Sequence, residues 1–127
     1  MTAFAFGRDR RIRKRADFLR IQKDGATVRT PHFVMLVASR QEVSEPSRLG
    51  VVVTKKIGGA VVRNRVKRLC RESFRLAPEI LPKGIDLVVI AKPGAGDLGL
   101  RDVQQEWSKA AAKLRRECEK VLGPRPS

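Results

Sequence analysis

The sequence predicts an α+β fold, a two-layer sandwich of helices on one mostly antiparallel sheet, with the element order αβββαβα. Its 127 residues are enough for one compact domain with a core and leave little room for a second. Four short runs are enriched in β-branched and aromatic residues, which favours strands. Three other runs repeat apolar residues at helical spacing, so each of them predicts a helix that packs on the sheet.

One helix and three strands are predicted in the first half of the chain. Residues 1–15 carry six basic residues against Asp9 alone, and this charge predicts a flexible basic arm. A short helix is expected over residues 16–23, with Gly25 placed to end it. Strands follow in ATVRT, HFVMLVASR and RLGVVVTKK, separated near Pro31 and by the polar turn QEVSEPS.

The second half predicts a basic amphipathic helix, one strand and a long packing helix. The strand is GIDLVVIAK, and the last helix is LRDVQQEWSKAAAKLRRECEKVL, ended by Gly123. One compact domain is therefore predicted over residues 16–123, followed by a short tail at 124–127. The basic helix ends before two prolines, and its predicted apolar stripe consists of Val62, Val66, Leu69, Leu76 and Ala77.

The net charge predicts a polyanionic partner. Lys and Arg number 28 against 13 acids, and a formal charge of +15 is more than solubility requires. Nucleic acid is favoured over an anionic membrane, because the chain shows neither bulky apolar anchors on a basic helix nor a lipidation signal. No apolar run approaches the roughly 20 residues of a membrane span, and no secretory signal is recognised. A cytoplasmic protein without membrane contact is expected.

Basic residues are densest over residues 55–75, KKIGGAVVRNRVKRLCRESFR, where eight cationic side chains face one acid, Glu72. Helical spacing places the cations opposite the apolar stripe, and such a face can run along several phosphates. Gly58 and Gly59 let backbone amides approach an anion at the positive end of the helix. No Walker motif occurs, so a nucleotide hydrolase is not predicted.

No catalytic constellation stands out in the sequence. The single histidine, His32, is predicted to have a turn or surface role. Turn and cap chemistry explains the acids at element boundaries, which are Asp86, Asp97 and Asp102. If the chain takes part in catalysis, another component is expected to perform the chemistry.

The two cysteines, Cys70 and Cys118, lie far apart within helical patterns. Small buried thiols are the favoured interpretation, and a disulfide between them is left open. Because there is no CxxC pair and only one histidine, neither zinc nor any other metal ligand is predicted.

The run IGGAVVRNRVKRLCRESFR closely resembles the signature of the bacterial ribonuclease P protein family, whose centre is an Arg-Asn-Arg helix, here Arg63, Asn64 and Arg65. ADFLRIQKDG, HFVMLV, RLGVVVTKK and DLVVIAKPG also occur in the family's order. The resemblance implies an αβββαβα fold similar to the second domain of ribosomal protein S5. It further implies a left-handed βαβ crossover through the basic helix.

The resemblance implies an accessory subunit of an endoribonuclease. In such a ribonucleoprotein the catalytic RNA, using Mg²⁺ held mainly by RNA, removes the 5′ leader of precursor tRNA to give the mature 5′ end. The implied partners are ribonuclease P RNA and precursor tRNA, with no obligate protein partner, and the protein broadens the range of substrates. A structural RNA-binding protein of the same fold, such as a ribosomal protein or RNA chaperone, is the alternative. A stand-alone nuclease is disfavoured by the missing catalytic residues.

The resemblance also assigns contact residues, none of them catalytic. The residues expected on the catalytic RNA are Arg63, Asn64, Arg65, Lys67, Arg68, Arg71 and Arg75. The strand-end and loop contacts to phosphate are Lys55, Lys56 and Lys92. A cleft between the first helix and the sheet is expected to hold the leader through Phe18, Gln22, Phe33 and Leu36. Gln22 and Leu36 stand where the family commonly has aromatic residues, and core packing is the alternative for Phe18 and Phe33.

Overall fold

The computed structural model describes residues 10–40 and 44–123. The predicted order αβββαβα is confirmed, and the first helix extends one residue beyond each predicted end. The helices are α1 (Arg15–Asp24), α2 (Ala60–Arg75) and α3 (Leu100–Leu122). The strands are β1 (Ala26–Arg29), β2 (Phe33–Ser39), β3 (Arg48–Val52) and β4 (Ile85–Ala91), and a short 3-10 helix spans Ala95–Asp97.

The four strands form one sheet in the order β1-β2-β4-β3. β1 pairs with β2 and β2 with β4 in antiparallel directions, whereas β3 and β4 are parallel. The prediction of a mostly antiparallel sheet is confirmed. Helix α2 joins the two parallel strands, because parallel neighbours need a crossover rather than a hairpin. The left-handed sense of this crossover and the likeness to the ribosomal domain stay predictions.

Each face of the sheet is covered by different elements. Alternate residues of β2, beginning with Phe33, enter the larger core beneath α2 and α3, where the ring of Phe33 meets Trp107 edge-on at 6.1 Å. The intervening residues, including Leu36, form a smaller cluster with Ile21 of α1. Side chains alternate across a strand, so one strand serves both cores. Each large side chain buried in this way contributes about 1.5–3 kcal/mol.

Helix α2 buries a stripe that differs in part from the predicted one. Val66 is buried as expected, and Cys70 and Phe74 extend the buried stripe along the helix. The assignment of Leu76 to the stripe was wrong, because α2 ends at Arg75 and Leu76 is 38 % exposed. Pro78 prevents a further turn, since proline has no N–H for the helical hydrogen bond.

Helix α3 follows the predicted pattern. Its buried residues recur at helical spacing, and they are Val103, Trp107, Leu114 and Cys118. Asp102 accepts a hydrogen bond from the backbone N–H of Gly99 at 2.8 Å, so its predicted role as a cap is confirmed. Gly123, at a φ of 73°, follows the last turn in a backbone conformation that favours glycine.

Residues Arg10–Ile12 belong to the folded domain, which corrects part of the predicted arm. The backbone N–H of Ile12 donates to the carbonyl of Leu49 at 2.9 Å, and Arg11 forms an isolated parallel β-bridge with Leu49. Ile12 is buried, and the guanidinium of Arg10 lies 5.5 Å from the ring centre of Phe74. These side chains are held because the segment extends the sheet beyond β3. Arg15, the last residue of the predicted arm, begins α1, whereas residues 1–9 of the arm and the predicted tail, 124–127, lie outside the described residues.

Asp86 anchors α1 to the sheet, and its assignment as a turn or cap residue was wrong. Its side chain is fully buried within β4, on the face covered by α1. Arg48 of β3 donates to both carboxylate oxygens, at 2.8 and 2.7 Å, and Arg20 of α1 donates at 2.7 Å. Burial of a carboxylate requires such pairing, so Asp86 joins three elements through charge.

Both cysteines are free and buried, which confirms the favoured interpretation over a disulfide. Burial raises the pKa of the Cys70 thiol to about 12 and that of Cys118 to about 11. Both side chains therefore pack as small neutral groups at physiological pH.

The described residues form neither a membrane-spanning helix nor a cluster of metal-ligating side chains. No helix among the described residues has the length and apolarity to cross a bilayer. Within the same residues, no three His, Cys, Asp or Glu side chains gather in a group that would hold a metal ion.

Candidate nucleic-acid interface

Helix α2 presents a cationic surface, here called the α2 basic face. It consists of Arg63, Asn64, Lys67, Arg68 and Arg71. Asn64 and Arg68 are exposed, whereas the three other side chains are half-buried. Partial burial holds the stems of these long side chains against the protein, and at Arg63 the Nε of the guanidinium is buried as well.

The single acid of α2 is used within the helix. Arg75 donates from Nε to Glu72 at 3.1 Å and pairs with it through a second nitrogen as well. This hydrogen bonding raises the pKa of Arg75 and lowers the pKa of Glu72. Arg75 is thus already paired with a carboxylate, while Glu72 lies beside the α2 basic face without neutralising its other cations.

Arg65 has a structural partner that the sequence did not reveal. Its two terminal nitrogens donate to the carbonyls of Gly96 at 2.8 Å and Leu98 at 2.6 Å. These carbonyls lie at the 3-10 helix after β4, so Arg65 connects α2 to that loop. The Arg-Asn-Arg motif therefore combines the exposed Asn64 and the half-buried Arg63 with one side chain, Arg65, that is committed to the fold.

Positive charge concentrates where α2 passes the first residues of the folded chain. Burial lowers the pKa of Arg71, and the nearby positive charge of Arg11 lowers it further. Two like charges are held near each other by the packing of residues 10–12 on the sheet edge. Such an arrangement raises the local positive potential and favours an anionic ligand.

The turn between β3 and α2 adds exposed cations. Lys55 and Lys56 are exposed and form no ion pair with an acid among the described residues. Gly58 has a φ of 155°, and a Cβ there would lie 3.0 Å from the side chain of Val62. The close turn requires glycine, and it places both lysines before the N-terminus of α2, where the helix dipole is positive.

Lys92 is occupied within the fold. Its Nζ donates to the carbonyl of Thr30 at 2.6 Å and ties the end of β4 to the turn between β1 and β2. Lys92 thus forms a hydrogen bond within the fold, whereas Lys55 and Lys56 are exposed, although the sequence analysis grouped all three as phosphate contacts.

A groove of about 500 Å³ lies between α1 and β3, here called the α1–β3 groove. Phe18 and Gln22 line it, as predicted for the leader cleft. Leu36 is buried in the cluster that also holds Phe18, and it is not among the groove's lining residues. The remaining lining residues, which sequence reasoning missed, are Arg13, Arg15, Leu19, Val51, Val52, Val53 and Lys67.

The placement of Phe33 in the cleft was wrong. Phe33 has no exposed surface and packs in the core beneath α2 and α3, on the opposite face of the sheet from α1. The core-packing alternative therefore describes Phe33. For Phe18 the outcome is mixed, because its half-buried ring contacts the smaller core and also lines the groove.

Gly50 creates the space for the Phe18 ring. A Cβ at Gly50 would lie 2.7 and 2.8 Å from two carbons of that ring, closer than van der Waals contact permits. A glycine inside a strand often marks such a close approach, so this signal was present in the sequence. The wall of the α1–β3 groove depends on it.

The two surfaces meet at Lys67, which belongs to the α2 basic face and also lines the groove. The fold and its charge thus define a class: a small α+β protein whose cationic helix adjoins an apolar groove with a basic rim. Such a surface suits a polyanion that offers both phosphates and unpaired bases.

Comparisons with known proteins specify the family. The family model for ribonuclease P matches residues 6–115. The ribonuclease P protein component of Desulfatibacillum aliphaticivorans is 45% identical over 114 residues, which cover 90% of this chain and 89% of that protein. The ribonuclease P protein component of Desulforapulum autotrophicum is 34% identical over 114 residues, covering 90% of this chain and 96% of that protein.

Solved structures agree with the sequence comparison. The RNase P protein of Staphylococcus aureus superposes with a TM-score of 0.73 at 34% identity, covering 87% of this chain and 98% of that chain. The RNase P protein from Thermotoga maritima gives a TM-score of 0.72 at 34% identity, covering 81% of this chain and 96% of that chain. The chain belongs to the ribonuclease P protein family.

Proposed function

We propose that this chain is the tRNA-processing protein subunit of ribonuclease P and contacts two RNAs at once. In this proposal the α2 basic face binds the catalytic RNA, and the α1–β3 groove binds the 5′ leader of precursor tRNA. The observation that carries it is the shared position of Lys67 on both surfaces. An RNA strand in the groove would lie directly beside RNA docked on α2.

The chemistry of the groove supports a single-stranded ligand. Phe18 and the half-exposed Leu19 offer apolar surface to unpaired bases. Arg13, Arg15 and Lys67 supply charge for phosphates along the same groove. With one aromatic ring lining it among the described residues, the groove would hold the leader through van der Waals contact and phosphate pairing more than through repeated stacking.

The proposed role in catalysis is accessory. Glu72 of α2 and Asp86 of β4 are engaged by arginines, so neither offers an uncommitted carboxylate for a metal ion. We assign hydrolysis to the RNA, with Mg²⁺ held mainly by RNA. The net charge of +15 would lower the repulsion between catalytic RNA and substrate, reduce the requirement for Mg²⁺ and broaden the range of substrates. We place this activity in the cytoplasm and assign it no obligate protein partner.

A structural RNA-binding protein remains the alternative, and one experiment separates the two. Precursor-tRNA cleavage by a bacterial ribonuclease P RNA is measured at a few millimolar Mg²⁺, with and without this protein, beside a protein-only reaction. We expect cleavage to require both components. Binding to RNA without any gain in cleavage would contradict the proposal, and cleavage by the protein alone would indicate a stand-alone nuclease.

Affinity measurements on variants locate the surface that binds the catalytic RNA. Arg68→Ala removes an exposed cation of the α2 basic face and is expected to weaken binding to the catalytic RNA by about 1–3 kcal/mol, the scale of a charge-assisted hydrogen bond. Arg116→Ala removes an exposed cation of α3 that lines neither surface, and it serves as the control of matched charge. Equal affinities for the two variants would refute the assignment of α2.

A further inference from the structure

A second basic groove, which neither surface above includes, lies between the β1–β2 turn and α3. It encloses about 410 Å³, within the range of small-ligand sites, and is here called the β1–α3 groove. Its cationic side chains are Arg29 at the end of β1 and Lys109 and Lys113 one turn apart on α3. None of these three forms an ion pair with an acid among the residues that the structure describes.

The acids that line this groove are committed to the fold. Asp102 caps α3 through Gly99. Glu106 accepts hydrogen bonds from the Thr30 hydroxyl at 2.5 Å and from the backbone N–H of His32 at 2.9 Å. Burial by itself raises the pKa of Glu106. These hydrogen bonds and the His32 ring together lower it by a larger amount, so the net pKa is depressed. Glu106 is therefore ionised and occupied, and it serves to hold the turn in place.

His32 is oriented by the same carboxylate. Its Nδ1 lies 2.8 Å from Glu106 Oε1, and the hydrogen bond assigns the ring proton to Nδ1 when the imidazole is neutral. Nε2 then remains for a ligand, since no hydrogen bond to it occurs within the described chain. The ring is one-third exposed and lines the groove.

The groove also offers apolar surface and connects to α2. Pro31, Leu98 and Ala110 line it together with the cations and offer apolar surface to a ribose or base. The carbonyl of Leu98 is the one that Arg65 of α2 engages at 2.6 Å. The groove and the Arg-Asn-Arg helix are thus joined through one loop, so an RNA bound on α2 has a short path to the groove.

We infer that the β1–α3 groove is a further RNA-binding site, one that takes a nucleotide of a single strand. Arg29, Lys109 and Lys113 bind its phosphates, the apolar residues contact its ribose or base, and His32 Nε2 forms a hydrogen bond to it. RNA is favoured over an acidic peptide because the groove combines cations with apolar surface and is linked to α2 through Leu98. The inference rests on the proposed function, in which the chain binds RNA.

The test compares two double variants that each remove two positive charges. Lys109→Gln with Lys113→Gln alters the groove, whereas Lys83→Gln with Arg116→Gln alters exposed cations elsewhere. Binding of a fluorescent oligouridylate is measured by anisotropy over a series of salt concentrations, with polyglutamate as a competitor. Each lost phosphate contact lowers the slope of log K against log salt by about 0.7 for single strands, so the groove variant is expected to lose about 1.4.

Lysine acylation followed by mass spectrometry shows which lysines the bound RNA covers. The protein is labelled alone, with catalytic RNA, and with catalytic RNA plus precursor tRNA, and these arms distinguish the two sources of the strand. We expect one of the RNAs to protect Lys109 and Lys113. Full labelling of both with every RNA, or equal salt slopes for the two double variants, would overturn the inference. Dependence of polyglutamate binding on these lysines, without the same dependence for oligouridylate, would assign the groove to an acidic peptide.

The β1–α3 groove and the subunit role can each fail without the other, and the measurements give a different result in each case. If the groove variant still stimulates leader cleavage and Lys67 is protected while Lys109 is not, the groove is refuted and the subunit role stands. If the unaltered protein never stimulates cleavage but its binding of oligouridylate depends on Lys109 and Lys113, the groove stands and the subunit role is refuted.

Discussion

Replacement of Asp86 by asparagine tests how the buried carboxylate holds the fold together. The substitution keeps the side chain's size but removes the negative charge that Arg48 and Arg20 engage through three hydrogen bonds of 2.7–2.8 Å. Asparagine can accept one or two of these bonds, and its amide hydrogens then point toward guanidinium groups. Three cations are left beside a neutral group on the buried face of the sheet, because the Nε of Arg40 also lies 3.9 Å from the carboxylate.

The expected cost follows from the exposure of the two arginines that form hydrogen bonds with the carboxylate. Removing one partner of a fully buried ion pair costs about 3–5 kcal/mol. The Arg20 side chain is 38% exposed and can recover hydration, whereas the Arg48 side chain is 19% exposed and loses most of its compensation. Arg48 also keeps Asp17 at 3.7 Å. We therefore expect a loss near the lower end, about 3 kcal/mol, in the free energy of unfolding.

Urea denaturation at neutral pH measures this loss. Trp107 is the only tryptophan and is buried in the larger core, so its fluorescence reports global unfolding. Asp97→Asn, at an exposed acid with no ion pair among the described residues, is the control and is expected to change stability by less than about 0.5 kcal/mol. If Asp86→Asn is as stable as this control, the carboxylate does not anchor α1. A double-mutant cycle with Arg48→Gln should show coupling between the two sites.

Three further predictions follow from other contacts. Gly50→Ala forces the Phe18 ring out of its place, because the new Cβ would lie 2.7 Å from it. We expect the affinity for precursor tRNA to fall more than the affinity for mature tRNA. An unchanged ratio of the two affinities would contradict the groove assignment. Glu106→Gln is expected to cost about 2 kcal/mol at pH 7, the scale of hydrogen bonds to a charged group. Since the folded-state pKa of Glu106 is depressed, the stabilisation by its carboxylate is present above the unfolded pKa near 4.5 and is lost as the pH falls through the folded pKa. The free energies of unfolding of the two proteins should therefore converge in acid, and a difference that stays constant with pH would refute this linkage. Arg65→Ala should increase amide hydrogen exchange around Leu98, which Arg68→Ala should leave unchanged; equal exchange in both variants would show that Arg65 does not hold the loop.

Local patterns in the sequence determined the elements and the character of α2. Helical period, strand composition and glycine positions are properties of neighbouring residues, and they predicted all seven main elements in order. The charge density of residues 55–75 depends only on composition, so the cationic nature of α2 was also evident. The buried cysteines followed in the same way, because their spacing placed them within apolar helical patterns.

Tertiary structure alone decided which side chains share a site. The alternation of β2 shows that Phe33 and Leu36 face opposite ways, but the positions of α1 and α3 determine which face holds the groove. Asp86 lies 66 residues from Arg20, and Arg65 lies 33 residues from Leu98, so no local pattern could pair them. The packing of residues 10–12 on β3 is likewise a long-range contact that a run of basic residues does not indicate. Both grooves arise where elements distant in sequence meet, because a cleft is a property of packed surfaces and not of any one segment.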